Sequence, residues 1–282
     1  MKFERRGPRK VYSDVIDLRD FYSQPLGRVA RRMIGSRIRD MWPEAKDARL
    51  VGLGYATPFL GQFLGETALC AGFMPAAQGV VRWPSDGPGR SALVEDISLP
   101  LGDASIDRVI IVHGVEAADA LPALLREIWR VLAPGGRLMI IAPNRRGMWA
   151  RTDTTPFGQG RPFSRSQLSR LLREGMFSPT AWSRALFVPP FRWSWLLRSA
   201  RAWERLGSFA WPGFSGVILV EAVKEIYGVI PNRGWRIAEQ LNPQLDPVPA
   251  VPRASGYRTL RATAGTPPVR REDWPTKDFA PD

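Results

Sequence analysis

At 282 residues and 44% hydrophobic content, the chain is long enough for one sizeable globular domain with an appendage, or at most two small domains. The lone cysteine, Cys70, excludes an internal disulfide framework, and with only His113 beside it the sequence argues against a dedicated metal site or a histidine-rich catalytic apparatus. A net charge of +13, carried mostly by arginine, is compatible with nucleic acid, anionic lipid or an acidic partner and does not choose among them.

The opening "MKFERRGPRKVYSDV" is charged and lacks the apolar middle of a secretory signal. The longest apolar runs fall far below the roughly 18 residues that span a bilayer, so no transmembrane segment is expected and the chain is placed in the cytoplasm. Residues 1–47 read as an N-terminal helical region. Within it Leu26, Val29, Ala30, Met33, Ile34, Ile38 and Met41 recur at helical spacing, with Arg28, Arg31, Arg32, Arg37 and Arg39 interleaved. This predicts a helix that covers a core and turns a basic face outward; phosphate binding is the alternative use of that face.

Residues 48–228 read as an α/β domain. "ARLVG" is the first strand, Pro58 to about Gly65 a helix, "TALCA" the second strand and "ALVEDI" the third. "RVIIVH" makes a buried strand, "ADALPALLREIWRVL" a helix and "GRLMIIAP" another strand. Such alternation predicts a doubly wound, mostly parallel sheet covered on both faces. Ser164 and Gln167 form a capping box opening a helix that Gly175 ends, and "GVILVEAV" is a late strand. An aromatic insertion near 186–214 contains Trp193 and Trp195, and the proline-rich, basic stretch 229–282 reads as a largely disordered tail.

Gly52 and Gly54 directly follow the first strand, with Thr57 and Pro58 as N-cap and first-turn proline of the next helix. This is the setting in which glycine lets backbone approach a nucleotide, although turn geometry alone also selects it.

Five stretches carry a resemblance: "VGLGYA", "EDISLPLGDASIDRVIIVHGVE", "LLREIWRVLAPGGRLMIIAPN", "FSRSQLSRLLREGMF" and "GVILVEAV". Together, over roughly Arg49 to Val223, the chain resembles the class I S-adenosylmethionine-dependent methyltransferases, particularly the type 11 group. The resemblance implies a seven-stranded Rossmann-like fold with S-adenosylmethionine in a cleft at the carboxyl ends of the strands. It implies that Gly52 and Gly54 lie beside the methionine part of the cofactor and that Asp96 accepts a hydrogen bond from the adenine amine. Tyr55 offers apolar packing there, and His113, ending the fourth strand, is expected to face the same cleft.

The departures are specific. Leu50 stands where the family has an acidic residue, Ala56 replaces the third motif glycine, and "CAGFMPAAQG" lacks the carboxylate expected to hold the ribose hydroxyls. Each missing charge-assisted hydrogen bond costs roughly 1.5–3 kcal/mol, about 10- to 150-fold in affinity.

Methyl transfer asks mainly for positioning, so a scarcity of histidine is no objection. His113 is the candidate to orient or deprotonate an acceptor and Glu116 the candidate base or orienting acid, each weighed against a purely structural role. "PNRRGMWARTDTTPFGQGRPFSRSQ" reads as a loop over the cleft, in which Arg145, Arg146 and Trp149, together with Trp193 and Trp195, form a candidate surface for a substrate or partner. The leading expectation is a methyltransferase acting on an unidentified acceptor, apolar or anionic. A weakened or inactive methyltransferase-like scaffold that binds a protein partner through the tail or insertion is the alternative, and a nucleic-acid-binding module a third.

Overall fold

The computed structural model describes residues 13–191, 203–204 and 212–225. The chain divides into two compact units, Met1–Val229 and Ile230–Asp282, and all described residues belong to the first. The tail expected from 229 onward and the residues Trp193 and Trp195 lie outside the described residues.

Two helices open the described chain. α1, Val15–Ser23, starts where the Asp14 carboxylate accepts the Ile16 N–H at 2.8 Å, and it buries Val15, Leu18, Phe21 and Tyr22 along one face. α2, Pro25–Met41, begins with proline, whose missing N–H costs nothing in the first turn, and buries the apolar stripe expected of it. The sequence reading placed residues 1–47 in a helical region without separating α1, whose short amphipathic pattern follows directly on a charged stretch. On the outer side of α2, Arg28, Arg31, Arg32 and Arg39 line a groove of about 610 Å³. Two of those charges have structural work: Arg31 donates to the Pro58 carbonyl, and Arg39 pairs with Glu66 and donates to the Gln62 carbonyl.

A seven-stranded sheet follows. Its strands are β1 (Arg49–Gly54), β2 (Leu69–Pro75), β3 (Ser91–Val94), β4 (Ile106–Val112), β5 (Leu132–Pro143), β6 (Phe177–Ala185) and β7 (Val217–Lys224), in spatial order β3-β2-β1-β4-β5-β7-β6. Only β7 runs antiparallel, to both of its neighbours. The edge strand β6 escaped the sequence reading because it is half-exposed and its pattern mixes Ser, Thr and Arg with apolar residues. Helices α3 (Thr57–Leu60), α4 (Leu121–Val131) and α5 (Arg165–Glu174) complete the fold.

The helix expected from Pro58 to Gly65 is a single α turn followed by a 3₁₀ turn at Gly61–Phe63, consistent with the low helix propensity of Gly61 and Gly65. Its N-cap is Ala56; Thr57 is the first helical residue, and its methyl group packs where a Cβ on Gly72 would lie. α5 has the expected capping box, with Ser164 Oγ accepting the Gln167 N–H at 3.2 Å and Gln167 Oε1 accepting the Ser164 N–H at 2.9 Å.

Two apolar layers sandwich the sheet. One joins α1, α2 and α3 to Leu50, Ile110, Met139 and Leu219; the other joins α4 and α5 to Val51, Ile111, Ile140 and Val220. The alternation of successive β-strand residues between the layers is the two-residue period of a strand buried on both faces. Among the described residues, no helix is long and apolar enough to cross a membrane.

Candidate functional site

The strand order reverses between β1 and β4: from β1 the chain proceeds outward through β2 and β3, then returns to β4 on the other side. In open α/β sheets this switch point leaves a crevice at the carboxyl ends of the strands. Gly52 and Gly54 stand at its β1 wall. Gly54 has φ +75°, and a Cβ there would lie 2.3 Å from the Val112 carbonyl oxygen; a Cβ on Gly52 would lie 2.7 Å from Ala56 Cβ. Both glycines are therefore required by the close approach of β1 to β4 and α3, whatever the crevice holds. Leu50, in the position of the absent acid, is fully buried in the apolar layer, as is Met74 near the end of β2. Asp96 lies beyond β3, half-buried and engaged in contacts of its own.

His113 follows β4 with φ +52°, an uncommon backbone conformation for a non-glycine residue, and is 4% exposed. Its Nδ1 lies 3.2 Å from Glu116 Oε1 and its Nε2 lies 2.8 Å from the Tyr22 hydroxyl. An ionised Glu116 only accepts, so Nδ1 carries the proton; in the neutral ring Nε2 then accepts from Tyr22. The result is a Tyr22–His113–Glu116 chain in which α1 occupies the free lone pair of the imidazole.

α1 closes the crevice. The Tyr22 ring stacks on Tyr55 at 5.8 Å between centroids and meets Phe59 edge-on, while Phe21 packs against Phe157 and His113 against Phe157 at 4.8 Å. Two hydrogen bonds reinforce this: the Val15 backbone N–H donates to the Gln78 carbonyl, and the Ser13 hydroxyl donates to the Gln159 side-chain oxygen. Burial holds the Tyr22 phenol well above its usual pKa, with Tyr55 and Glu116 adding to the effect; burial likewise pushes Tyr55 up to about 12. Both phenols are neutral donors at physiological pH. Burial also pushes the Cys70 thiol up to about 11, which makes it unreactive.

Two polar atoms in this region lack partners. Gln78 donates through Nε2 to the His113 carbonyl, but its Oε1 is buried without a hydrogen bond, and Glu116 Oε2 is likewise buried and unpaired. Both are acceptors, and both belong to side chains that touch His113. Buried acceptors without donors are costly enough to be rare, so the crevice is chemically suited to a ligand that brings hydroxyl or ammonium hydrogens.

The residues grouped as a substrate or partner surface separate. Arg145 and Arg146 are exposed, but Trp149 is not on a surface: it is 1% exposed, donates through Nε1 to the Val188 carbonyl at 2.7 Å and packs against Phe157 and Gly216. The indole anchors the loop after β5, correcting the expectation that it meets a ligand. Sequence reasoning missed Tyr22 and Gln78. The signal for Tyr22 was the Asp14 cap followed by apolar residues at 15, 18, 21 and 22; Gln78 gave no signal. No cluster of metal-ligating side chains occurs among the described residues.

Residues 51–140 match a family model described as a methyltransferase domain. The chain is 43% identical over 53 residues to the ubiquinone/menaquinone biosynthesis C-methyltransferase UbiE of Rubrivivax gelatinosus, covering 19% of this chain and 21% of that protein. It is 27% identical over 139 residues to the demethylmenaquinone methyltransferase of Thermus thermophilus, covering 46% of this chain and 63% of that one. The chain thus spans less than two thirds of the length of either curated relative. Among solved structures, a methyltransferase of Thermotoga maritima superposes with a TM-score of 0.52 at 18% identity, over 75% of this chain and 96% of that one, a likeness of fold. Residues 51–140 thus match a methyltransferase domain, and the sheet order and switch-point crevice give the chain the fold of the class I methyltransferases.

Proposed function

We propose that the chain is a methyltransferase that binds S-adenosylmethionine in the crevice between β1 and β4 and acts on a small-molecule acceptor. The observation that carries this reading is the pair of orphaned acceptors, Gln78 Oε1 and Glu116 Oε2, set around His113 in the crevice of a methyltransferase domain. They offer two hydrogen-bond sites in place of the carboxylates missing at Leu50 and after β2. The cofactor supplies an electrophilic methyl group on a sulfonium.

The chain's own residues bind, orient and move a proton. Asp96 is assigned to the adenine amine. Gly52, Gly54 and Tyr55 form the wall on the methionine side, and Gln78 and Glu116 accept from hydroxyl or ammonium hydrogens. Glu116 fixes the His113 tautomer, so that Nε2 is the lone pair available to an acceptor's proton. In the closed arrangement Tyr22 holds that lone pair, so α1 must withdraw for ligands to enter and for His113 to work. The single buried thiol suits a reducing, cytoplasmic setting.

Calorimetric titration of the folded chain with S-adenosylmethionine and S-adenosylhomocysteine tests this. Micromolar binding that weakens at least about tenfold in Glu116→Ala is expected, the loss of one charge-assisted hydrogen bond. No heat from a folded sample would reject the enzyme and leave the fold as a scaffold.

A further inference from the structure

A second cavity opens on the same edge of the sheet. Its volume is about 490 Å³, and Arg146, Arg165 and Arg184 line it together with Asn144, Ser164 and Ser166. A smaller cavity of about 280 Å³ adjoins it, sharing Arg165, Arg184 and Ile218 and adding Arg37. None of Arg146, Arg165 and Arg184 pairs with a carboxylate among the described residues.

The arginines are placed by structure. Arg165 lies over the Trp182 ring, 4.7 Å from its centroid. Arg184 is on β6, opposite Ile218 of β7. The Arg146 N–H donates to Asn144 Oδ1, and the buried Asn144 amide donates to the Ser215 carbonyl and hydroxyl and the Gly213 carbonyl, which fixes the cavity floor. The capping box already uses the Ser164 hydroxyl on the Gln167 N–H, so the positive character comes from the three guanidinium groups rather than from the helix end.

We propose that this cavity binds the phosphate or diphosphate group of the methyl acceptor. Three guanidiniums without carboxylate partners among the described residues, around one cavity, match a group with two or more negative charges, and their planar forks suit phosphate oxygens; a monocarboxylate leaves two of them unmatched. Register supplies the link to the transfer site. Val112 pairs with Ile141, so His113 stands level with Ala142; Ala142 pairs with Ile218, and Ile218 with Arg184. Arg184 is therefore three strand spacings from the strand of His113, roughly 14 Å along one sheet edge. The acceptor is an elongated phosphorylated molecule whose reacting end lies far from its charge. The assignment of the anion to an acceptor rests on the methyltransferase reading; the anion site itself does not.

The test titrates the full chain with inorganic pyrophosphate, against sodium chloride at matched ionic strength, by calorimetry and thermal melting. Saturable binding is expected, weakened at least about tenfold in Arg165→Ala/Arg184→Ala and partly retained in Arg165→Lys/Arg184→Lys. It should be unchanged in Arg126→Ala/Arg173→Ala, two exposed arginines away from the cavity. Equal binding by the wild type and the alanine pair, or no binding beyond that of chloride, would overturn the site. A parallel titration with S-adenosylhomocysteine separates the two readings. If that ligand fails while pyrophosphate binds, the methyltransferase reading falls and the anion site stands; if it binds to the alanine pair as to the wild type, the lost pyrophosphate binding is not a failure to fold.

Discussion

Two regions on one edge of the same sheet are built in opposite ways. At the β1/β4 switch point the crevice is filled by the chain's own rings: Tyr22, Tyr55, Phe59, Phe157 and His113 are packed together and α1 lies over them. Three strand spacings away, beside β7 and β6, charged side chains surround open space. The first region has satisfied its apolar surface internally and left two buried acceptors unmatched; the second has left partly or fully exposed guanidiniums without carboxylate partners among the described residues, where the cost is small. Under the proposed function α1 gives way to a ligand at the crevice, whereas the cavity needs no cover.

The largest expected effect tests the crevice alone. Gly54→Ala forces a Cβ against the Val112 carbonyl at a left-handed φ and should destabilise the fold by about 3 kcal/mol, read as a lowered urea midpoint. Pyrophosphate binding by the fraction that folds should be unchanged, which would establish that the regions are independent.

Tyr22→Phe comes next. It leaves His113 Nε2 buried without its donor, costing about 1–3 kcal/mol, and that cost should fall on the docking of α1. Faster amide exchange over residues 15–23 and tighter S-adenosylhomocysteine binding are expected, by up to about tenfold for each 1.4 kcal/mol. Weaker binding instead would mean that Tyr22 touches the ligand and is not merely in its way.

Acid should weaken the fold through Glu127, outside both regions. Arg130 holds the Glu127 carboxyl below the usual carboxylate range, and Glu127 also accepts the Leu99 N–H at 2.6 Å, three residues beyond Asp96. A carboxyl whose folded pKa is depressed contributes stability above its unfolded pKa, near 4.3, and loses it as pH falls through the folded value. Denaturation midpoints measured from pH 6 downward should fall less steeply in Glu127→Gln. The smallest effect is at the cavity: Trp182→Leu removes the ring under Arg165 and should cost about 0.5–1 kcal/mol in stability, with a modest loss of pyrophosphate affinity.

Much of the fold was legible. The helical period of α2, the alternation of apolar runs with helices from Arg49 to Pro143, and the capping box at Ser164 are local signals, and local hydrogen bonding and burial act on them directly. The elements left without bounds or missed, α1 and β6, are short or half-exposed and owe their form to what they pack against. Of the candidate site residues, Gly54 at the end of β1, His113 directly after β4 and Asp96 just beyond β3 stand where a strand's end fixes the edge on which a residue appears. Trp149 was misjudged because an aromatic in a loop has the same sequence signature whether it faces a ligand or anchors the loop.

By itself, then, the sequence determined that this chain folds as a doubly wound sheet with a glycine turn at the switch point, because periodicity and turn chemistry are properties of neighbouring residues. Only the tertiary structure decided what fills that turn. Tyr22 meets His113 across 91 positions and Glu116 is left half-satisfied beneath it, while Arg146, Arg165 and Arg184 arrive at one cavity from three separate elements. Such meetings depend on the order in which strands enter the sheet and on which helix packs over its edge, and no local pattern records either.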